Sequence, residues 1–341
     1  MSSFNPNSCM GLEPVPSKEG SWKMARNGAI VGIDVSKDKL DVAIWSAKVS
    51  ARFANNARGW QELLKWLVQH GARKVAMEAT AGYEMACRKV LMKSGLEVVV
   101  VDPKRVRHFA KSAGRLAKND AIDAQMIAWF AEVFDDLTGK PQDDEREELE
   151  HLVSARRALV DLQETVQNWR RHERPKLVQK AHQAVLRVLA CQIDELDDAI
   201  VTWIKSASHF AERAEIIRSV PGLREVSAAG LIAFLPELGR VDRQAAAALV
   251  GVAPFDDDSG KHHGRRVILG GRRKLRNLLY MPLVGAATRC NPVLKAHYQR
   301  LLARGKPAKV ALIACMRKLI GILNTMLARG EKWDPSKHAL A

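Results

Sequence analysis

The chain has 341 residues, long enough for two domains or for one large domain with a helical insertion, and 54 Lys and Arg against 38 Asp and Glu give it a formal charge of +16. That balance disfavours an acidic small substrate and favours a polyanionic partner, nucleic acid first, although a solvated lysine-rich surface gives the same sum. Five widely spaced cysteines (Cys9, Cys87, Cys191, Cys290 and Cys315) argue against a disulfide framework and a CxxC zinc site, which fits a reducing, cytoplasmic setting.

Residues 1–27 are rich in Ser, Pro, Gly and Asn, lack the apolar core of a signal peptide and read as a disordered leader. A first domain is expected over 28–140. Its pattern predicts strands at Ile30 to Val35, Leu40 to Trp45 and Val49 to Phe53, a meander turning at Ser36-Lys37-Asp38. A helix from Gly59 to Gln69, a strand from Lys74 to Met77, a helix from Tyr83 to Ser94 and a strand from Glu97 to Val101 follow, then a helix from Asp120 to Phe134. The alternation predicts an α/β sandwich whose later strands are parallel.

Over 141–212 the apolar residues keep a helical period, with a break near His172 to Pro175, so two long antiparallel helices are expected. Ordinary bundle packing and a dimerising coiled-coil arm both fit that pattern. In the last domain, 213–341, Ile217 to Leu223 followed by an apolar helix from Ser227 fits a helix-hairpin-helix, whose turn offers amide N–H groups to a phosphate. The apolar run Val310 to Leu327 is interrupted by Arg317 and Lys318, which favours a packed helix over a membrane span, and no membrane partner is expected.

Between Asp258 and Glu331 there is no acidic residue, yet sixteen Lys and Arg fall there. Seven of them, Lys261, Arg265, Arg266, Arg272, Arg273, Lys274 and Arg276, cluster early in that stretch and read as a phosphate-contacting surface with salt-dependent binding.

Four carboxylates invite a chemical reading. Asp34 lies inside an apolar strand, where an unpartnered carboxylate is costly. Glu78 ends a strand of the parallel set, at the edge where ligands gather in such sheets. Asp120 and Asp123, three apart on a helix, share one face. Singly, each has an ordinary explanation as a turn, loop or helix-capping residue. Together they form an oxygen-rich set suited to Mg²⁺ or Mn²⁺, ions that stabilise both oxygens of a phosphodiester exchange.

The stretches Gly-Ile-Asp-Val-Ser-Lys around Asp34, Met-Glu-Ala-Thr around Glu78 and Lys-Asn-Asp-Ala-Ile-Asp-Ala around Asp120 and Asp123 resemble the Asp-Glu-Asp-Asp signature of the insertion-sequence transposases known as the one-ten family. The resemblance runs over about residues 28 to 336 and includes Ser219-Val220-Pro221-Gly222, Leu249 to Pro254, Asp258-Ser259-Gly260 and Gly264 to Ile268. Ala81 departs from it, standing where many members have Gly. The resemblance implies a RuvC-like (ribonuclease H superfamily) α/β domain, then an α-helical coiled-coil arm and a mainly α C-terminal domain with a helix-hairpin-helix-like segment. It further implies that Asp34, Glu78, Asp120 and Asp123 bind the metal and that Ser259 is the nucleophile. Donor and target DNA, a structured non-coding (bridge) RNA as guide, and action at the nucleoid of a bacterial cytoplasm complete what it implies. The helical arm and the need to handle two DNA partners suggest a homodimer or homotetramer.

From its residues alone Ser259 reads as a turn residue, flanked by Lys261, His262, His263, Arg265 and Arg266, cations able to bind an attacked phosphate. A serine hydroxyl needs activation, so this reading requires the acidic and serine regions to meet, within or between subunits. Two competing readings are a RuvC-like structure-specific nuclease with no covalent intermediate and a nucleic-acid-binding scaffold with structural carboxylates.

Overall fold

The computed structural model describes residues 28–114, 120–134, 144–170, 175–256, 258–259, 262–264 and 266–338. The chain divides into two compact units, residues 1–142 and 143–341.

In the first unit the strands are β1 (Ala29–Val35), β2 (Lys39–Ile44), β3 (Val49–Ala54), β4 (Ala72–Glu78) and β5 (Glu97–Val101). The helices are α1 (Ala57–Gln69), α2 (Glu84–Lys93), α3 (Pro103–Ser112) and α4 (Asp120–Val133). The strands form one sheet in the order β3-β2-β1-β4-β5, with an antiparallel meander over β1 to β3 and with β4 and β5 parallel to β1. This is the mixed α/β arrangement that the sequence pattern predicts. Ser36 closes the first hairpin, its Oγ donating to Lys39 O at 2.9 Å.

Each face of the sheet buries its own apolar set. Val31, Ile33, Leu40, Val42, Val75 and Met77 pack with Leu63 and Leu67 of α1 and Cys87 and Leu91 of α2. Ile30, Ala76, Val99 and Val101 pack on the other side with Val106 of α3 and Met126, Ile127 and Phe130 of α4. Full burial of a side chain of this size stabilises by about 1.5–3 kcal/mol, so both layers hold the sheet firmly. Gly32 sets how closely α4 approaches: a Cβ there would collide with the carbonyl of Ala124 and the backbone N–H of Ala128. The helix therefore lies directly on β1. Sequence reading missed α3, although its start is explicit, with Asp102 accepting from Lys104 N at 2.7 Å and Pro103 at the first helical position.

The second unit is mainly helical. Its long helices α5 (Asp144–Arg170) and α6 (Lys176–Ser206) lie side by side, tied by the two-pronged contact of Arg156 with Asp197. Leu149 and Val153 of α5 and Ile200 and Ile204 of α6 enter the core of the unit, while Leu162, Trp169, Leu177 and Val188 are exposed. The predicted break at His172 to Arg174 lies outside the described residues. Next come α7 (Ser208–Arg218), α8 (Glu225–Phe234) and α9 (Arg243–Val250), then four two-residue strands: β6 (Pro254–Phe255), β7 (Asp258–Ser259), β8 (His262–His263) and β9 (Val267–Ile268). The chain continues through α10 (Arg273–Gly285), a π-helical turn (Ala286–Cys290), α11 (Pro292–Ala303), α12 (Ala308–Arg329) and α13 (Pro335–His338). Among the described residues α12 alone is long and apolar enough to cross a membrane; 67% of its most apolar window is buried in the core of the unit.

Candidate active site

The register of the sheet brings two of the four carboxylates together. Ile33 of β1 pairs with Met77 of the parallel strand β4, so the next residues, Asp34 and Glu78, stand side by side at the carboxyl ends of neighbouring strands. Matched residues of paired strands point to one face. That face is the one α4 covers, because Gly32, two residues before Asp34, is where Ala124 and Ala128 rest. Asp123, half-buried, immediately precedes Ala124 on that helix. Asp120 begins α4, but its side chain lies outside the described residues. Among the described residues no group of three or more His, Cys, Asp or Glu is drawn together tightly enough to form a ready cage for a metal.

The same row extends in both directions across the sheet. Asp34 pairs with Asp41 of β2, Asp41 pairs with Arg52 of β3, and Glu78 pairs with Val101 of β5. Asp41 is buried, with its Oδ1 2.7 Å from Arg52 Nε and its Oδ2 3.6 Å from Lys39 Nζ. Sequence reading passed over Asp41. Its signal was there, an acidic residue that falls directly across a tight hairpin from Asp34, but the alternation of the strand places it on the polar side. Asn55 is a second residue missed. Its Nδ2 donates to Ser36 O at 2.9 Å and to Tyr83 O at 3.2 Å, stitching the loop after Asp34 to the loop after Glu78. Trp60 Nε1 in turn donates to Asn55 Oδ1 at 2.8 Å and fixes the amide. In the loop after Glu78, Ala81 has φ of 51°, a left-handed conformation that favours glycine.

In the second unit Ser259 pairs with His262, and Asp258 with His263, in a short antiparallel ladder. The side chains of Ser259, His262 and His263, and residues Lys261 and Arg265, lie outside the described residues. A second ladder, Pro254 with Ile268 and Phe255 with Val267, forms beneath it. Arg276 closes the base, its Nη1 donating to Gly251 O at 2.9 Å and Gly270 O at 3.2 Å. Arg272 is also spent internally: its two Nη atoms lie 2.6 and 2.5 Å from the oxygens of Glu237, and Nη1 donates to Phe234 O at 2.8 Å. Arg266 pairs with Asp256 at 2.6 Å on the surface, whereas Arg273 and Lys274 are exposed at the start of α10. Of the basic residues singled out from sequence, Arg272 and Arg276 therefore build the support of the serine hairpin.

An acidic row at the carboxyl edge of an α/β sheet, joined in one chain to a basic helical unit, belongs to enzymes that cut and join DNA, and known proteins agree. A transposase family model for the IS110 group with the Asp-Glu-Asp-Asp motif matches residues 31–172, and a model described as transposase IS116/IS110/IS902 family matches residues 214–299. The chain is 24% identical over 319 residues to the pilin gene-inverting protein of Moraxella bovis, covering 90% of this chain and 98% of that one. The protein of the same name from Moraxella lacunata matches equally, 24% over 319 residues. An uncharacterized protein of insertion element IS116 from Streptomyces clavuligerus is 31% identical over 157 residues, 43% of this chain and 38% of its own. The chain is a DNA transposase or recombinase. It belongs to the IS110 family of transposases.

Proposed function

We propose that the protein excises and inserts a mobile element by exchanging DNA strands through Ser259, with Asp34, Glu78, Asp120 and Asp123 as the acidic half of the site on a RuvC-like domain. The observation that carries this reading is the strand register that aligns Asp34 with Glu78 on the face under α4, the helix bearing the two aspartates. The donors are all carboxylate oxygens, the set that hard divalent ions such as Mg²⁺ or Mn²⁺ prefer. A divalent ion held there would supply positive charge to the attacked phosphodiester.

In the exchange, the Ser259 oxygen forms a bond to phosphorus, one sugar oxygen of the strand leaves, and the serine proton passes to solvent or to the leaving oxygen. The strand is then held as a phosphoserine ester, which a second strand end reverses. Asn55 and Trp60 keep the loops beside Asp34 and Glu78 in place, and Asp41, neutralised by Arg52 and Lys39, lines the row without adding a free negative charge. Lys261, Arg265, Arg266, Arg273 and Lys274 bind DNA or RNA phosphates around the serine hairpin, while Arg272 and Arg276 hold its base. A structured non-coding RNA selects donor and target by base pairing. The exposed apolar residues of α5 and α6 form a coiled-coil arm that joins protomers in a dimer or tetramer, and the α7–α8 turn acts as a helix-hairpin-helix. The protein works in the bacterial cytoplasm.

The test is to incubate protein with its element RNA, Mg²⁺ and labelled donor and target DNA, and to resolve the products on a denaturing protein gel. A covalent protein–DNA band is expected from the native protein and is lost in Ser259→Ala, in Asp34→Asn and after EDTA. Cleavage without an adduct, equal in Ser259→Ala, would refute the serine step and favour a simple RuvC-like nuclease.

A further inference from the structure

Lys318 stands in the middle of α12, a long apolar helix, and only 6% of it is exposed. A buried ammonium ordinarily has a carboxylate partner. Among the described residues Lys318 has none; the cations acting on it are the guanidinium groups of Arg300 from α11 and Arg243 from α9, opposed only by the buried Cys315 thiol. Arg243 is brought there by Gly321, where a Cβ would collide with its Nε. Burial and these like charges push the Lys318 pKa down, with burial the larger cause.

Two of these three cations open onto a cavity. Lys318, Arg300 and His297 line a cavity of about 370 Å³ between α11, α12 and α13, whose remaining walls are Pro292, Val293, Ala296 and Pro335. That volume falls within the roughly 300–1,000 Å³ of small-ligand sites. Arg300 Nη2 lies 2.8 Å from His297 Nδ1 and can only donate. Nδ1 is therefore the unprotonated acceptor, and Nε2 carries the proton of a neutral ring. Burial, followed by the charges of Lys318 and Arg300, lowers the His297 pKa in the same sense. The nearest carboxylate in sequence to the cavity wall, Asp334, accepts from the backbone N–H and Oγ of Ser336.

We propose that this cavity is a phosphate-binding site that takes one nucleotide unit of a nucleic-acid strand, with Lys318 and Arg300 holding the phosphate and the Pro292, Val293, Ala296 and Pro335 wall packing against its sugar. The bound anion supplies the negative charge that the fold withholds from a buried ammonium and two neighbouring guanidinium groups. A strand is preferred to a free nucleotide because the surrounding sequence, from Ser259 to Gly330, contains no acidic residue and exposes Arg304, Lys306, Lys309 and Arg317 near the same helices. This site is independent of the carboxylates and of Ser259, so the proposal stands or falls apart from the strand-exchange reading.

The experiment compares native protein with Lys318→Met, which keeps the length of the side chain, and with Arg300→Gln, a change nearer the surface that guards against a folding defect. Melting is followed in sodium phosphate and in sodium chloride at equal ionic strength. Native protein is expected to melt higher in phosphate, and neither variant to show that difference, while Lys318→Met without phosphate melts no lower than native. A labelled single-stranded oligonucleotide is expected to bind each variant roughly tenfold more weakly, the loss of one charge-assisted contact. A phosphate shift equal in all three proteins, or absent from native, overturns the site. Adenosine monophosphate that binds as tightly as the oligonucleotide and displaces it overturns the strand as the ligand's source.

Discussion

The two units treat buried charge in opposite ways. In the first, Asp41 is sunk into a sheet face and answered at once by its cross-strand neighbour Arg52, with Lys39 beside it. In the second, Lys318 is sunk into a helix with the guanidinium groups of Arg300 and Arg243 as its main charged neighbours and no carboxylate partner among the described residues. A sheet can place a counter-charge in register one strand away, about 5 Å off, whereas α12 receives Arg243 and Arg300 from two separate helices, α9 and α11, neither of which carries a carboxylate. Asp41 is balanced within its fold, whereas at the proposed site Lys318 is left to be balanced by a bound anion.

The largest effect on this comparison is expected from Gly32→Val. The new side chain would meet the backbone of α4 at Ala124 and Ala128, which cannot give way as a side chain can. A loss of about 3 kcal/mol or more is expected in urea unfolding. A loss under about 1 kcal/mol would mean that α4 does not rest on β1, and the face shared by Asp34, Glu78 and Asp123 would no longer be one site.

A smaller effect is expected from Arg52→Ala, which leaves Asp41 with Lys39 at 3.6 Å as its cation. The Asp41 side chain is 8% exposed but that of Arg52 is 60% exposed, so water screens much of the pair. A loss of about 1–2 kcal/mol is expected, with Arg52→Lys recovering part of it. Equal stability of Arg52→Ala and native protein would remove the contrast between the units.

The strands and the α1, α2 and α4 helices were legible because each has one dominant period and clear punctuation. Asp41 was not. Strict alternation in Lys-Leu-Asp-Val-Ala-Ile puts it on the polar side, and only the passage of α4 over β1 and β2 converts that side into a buried one. Lys318 was read as a charge that interrupts an apolar run. Its burial depends on α9 and α11 folding back across α12, contacts far apart in sequence. Arg272 and Arg276 looked like surface cations for the same reason, since Glu237 and the carbonyl of Gly251 are brought to them by the fold. The departure at Ala81 was visible as a letter, and the structure supplies its meaning in a positive φ.

That position gives the smallest predicted effect. Ala81 is exposed, so its methyl group has little packing to lose. A left-handed alanine costs about 1–2 kcal/mol relative to glycine, and the greater freedom of glycine in the unfolded chain offsets about half of that. Ala81→Gly is expected to raise stability by about 0.5 kcal/mol, read as a small rise in Tm. A fall would show that the alanine braces the loop beside Glu78.

The closed base of the serine hairpin bears on how this region tolerates change. Arg276 clasps Gly251 and Gly270, and the Arg272 N–H donates to Leu249 O at 2.8 Å, so the two ends of the excursion are joined before it begins. Once a loop is shut at its neck, lengthening it is cheap, about 0.6 kcal/mol for each doubling. The reach of the segment carrying Ser259 can therefore diverge between relatives, or be redesigned, while the helices beneath keep their packing.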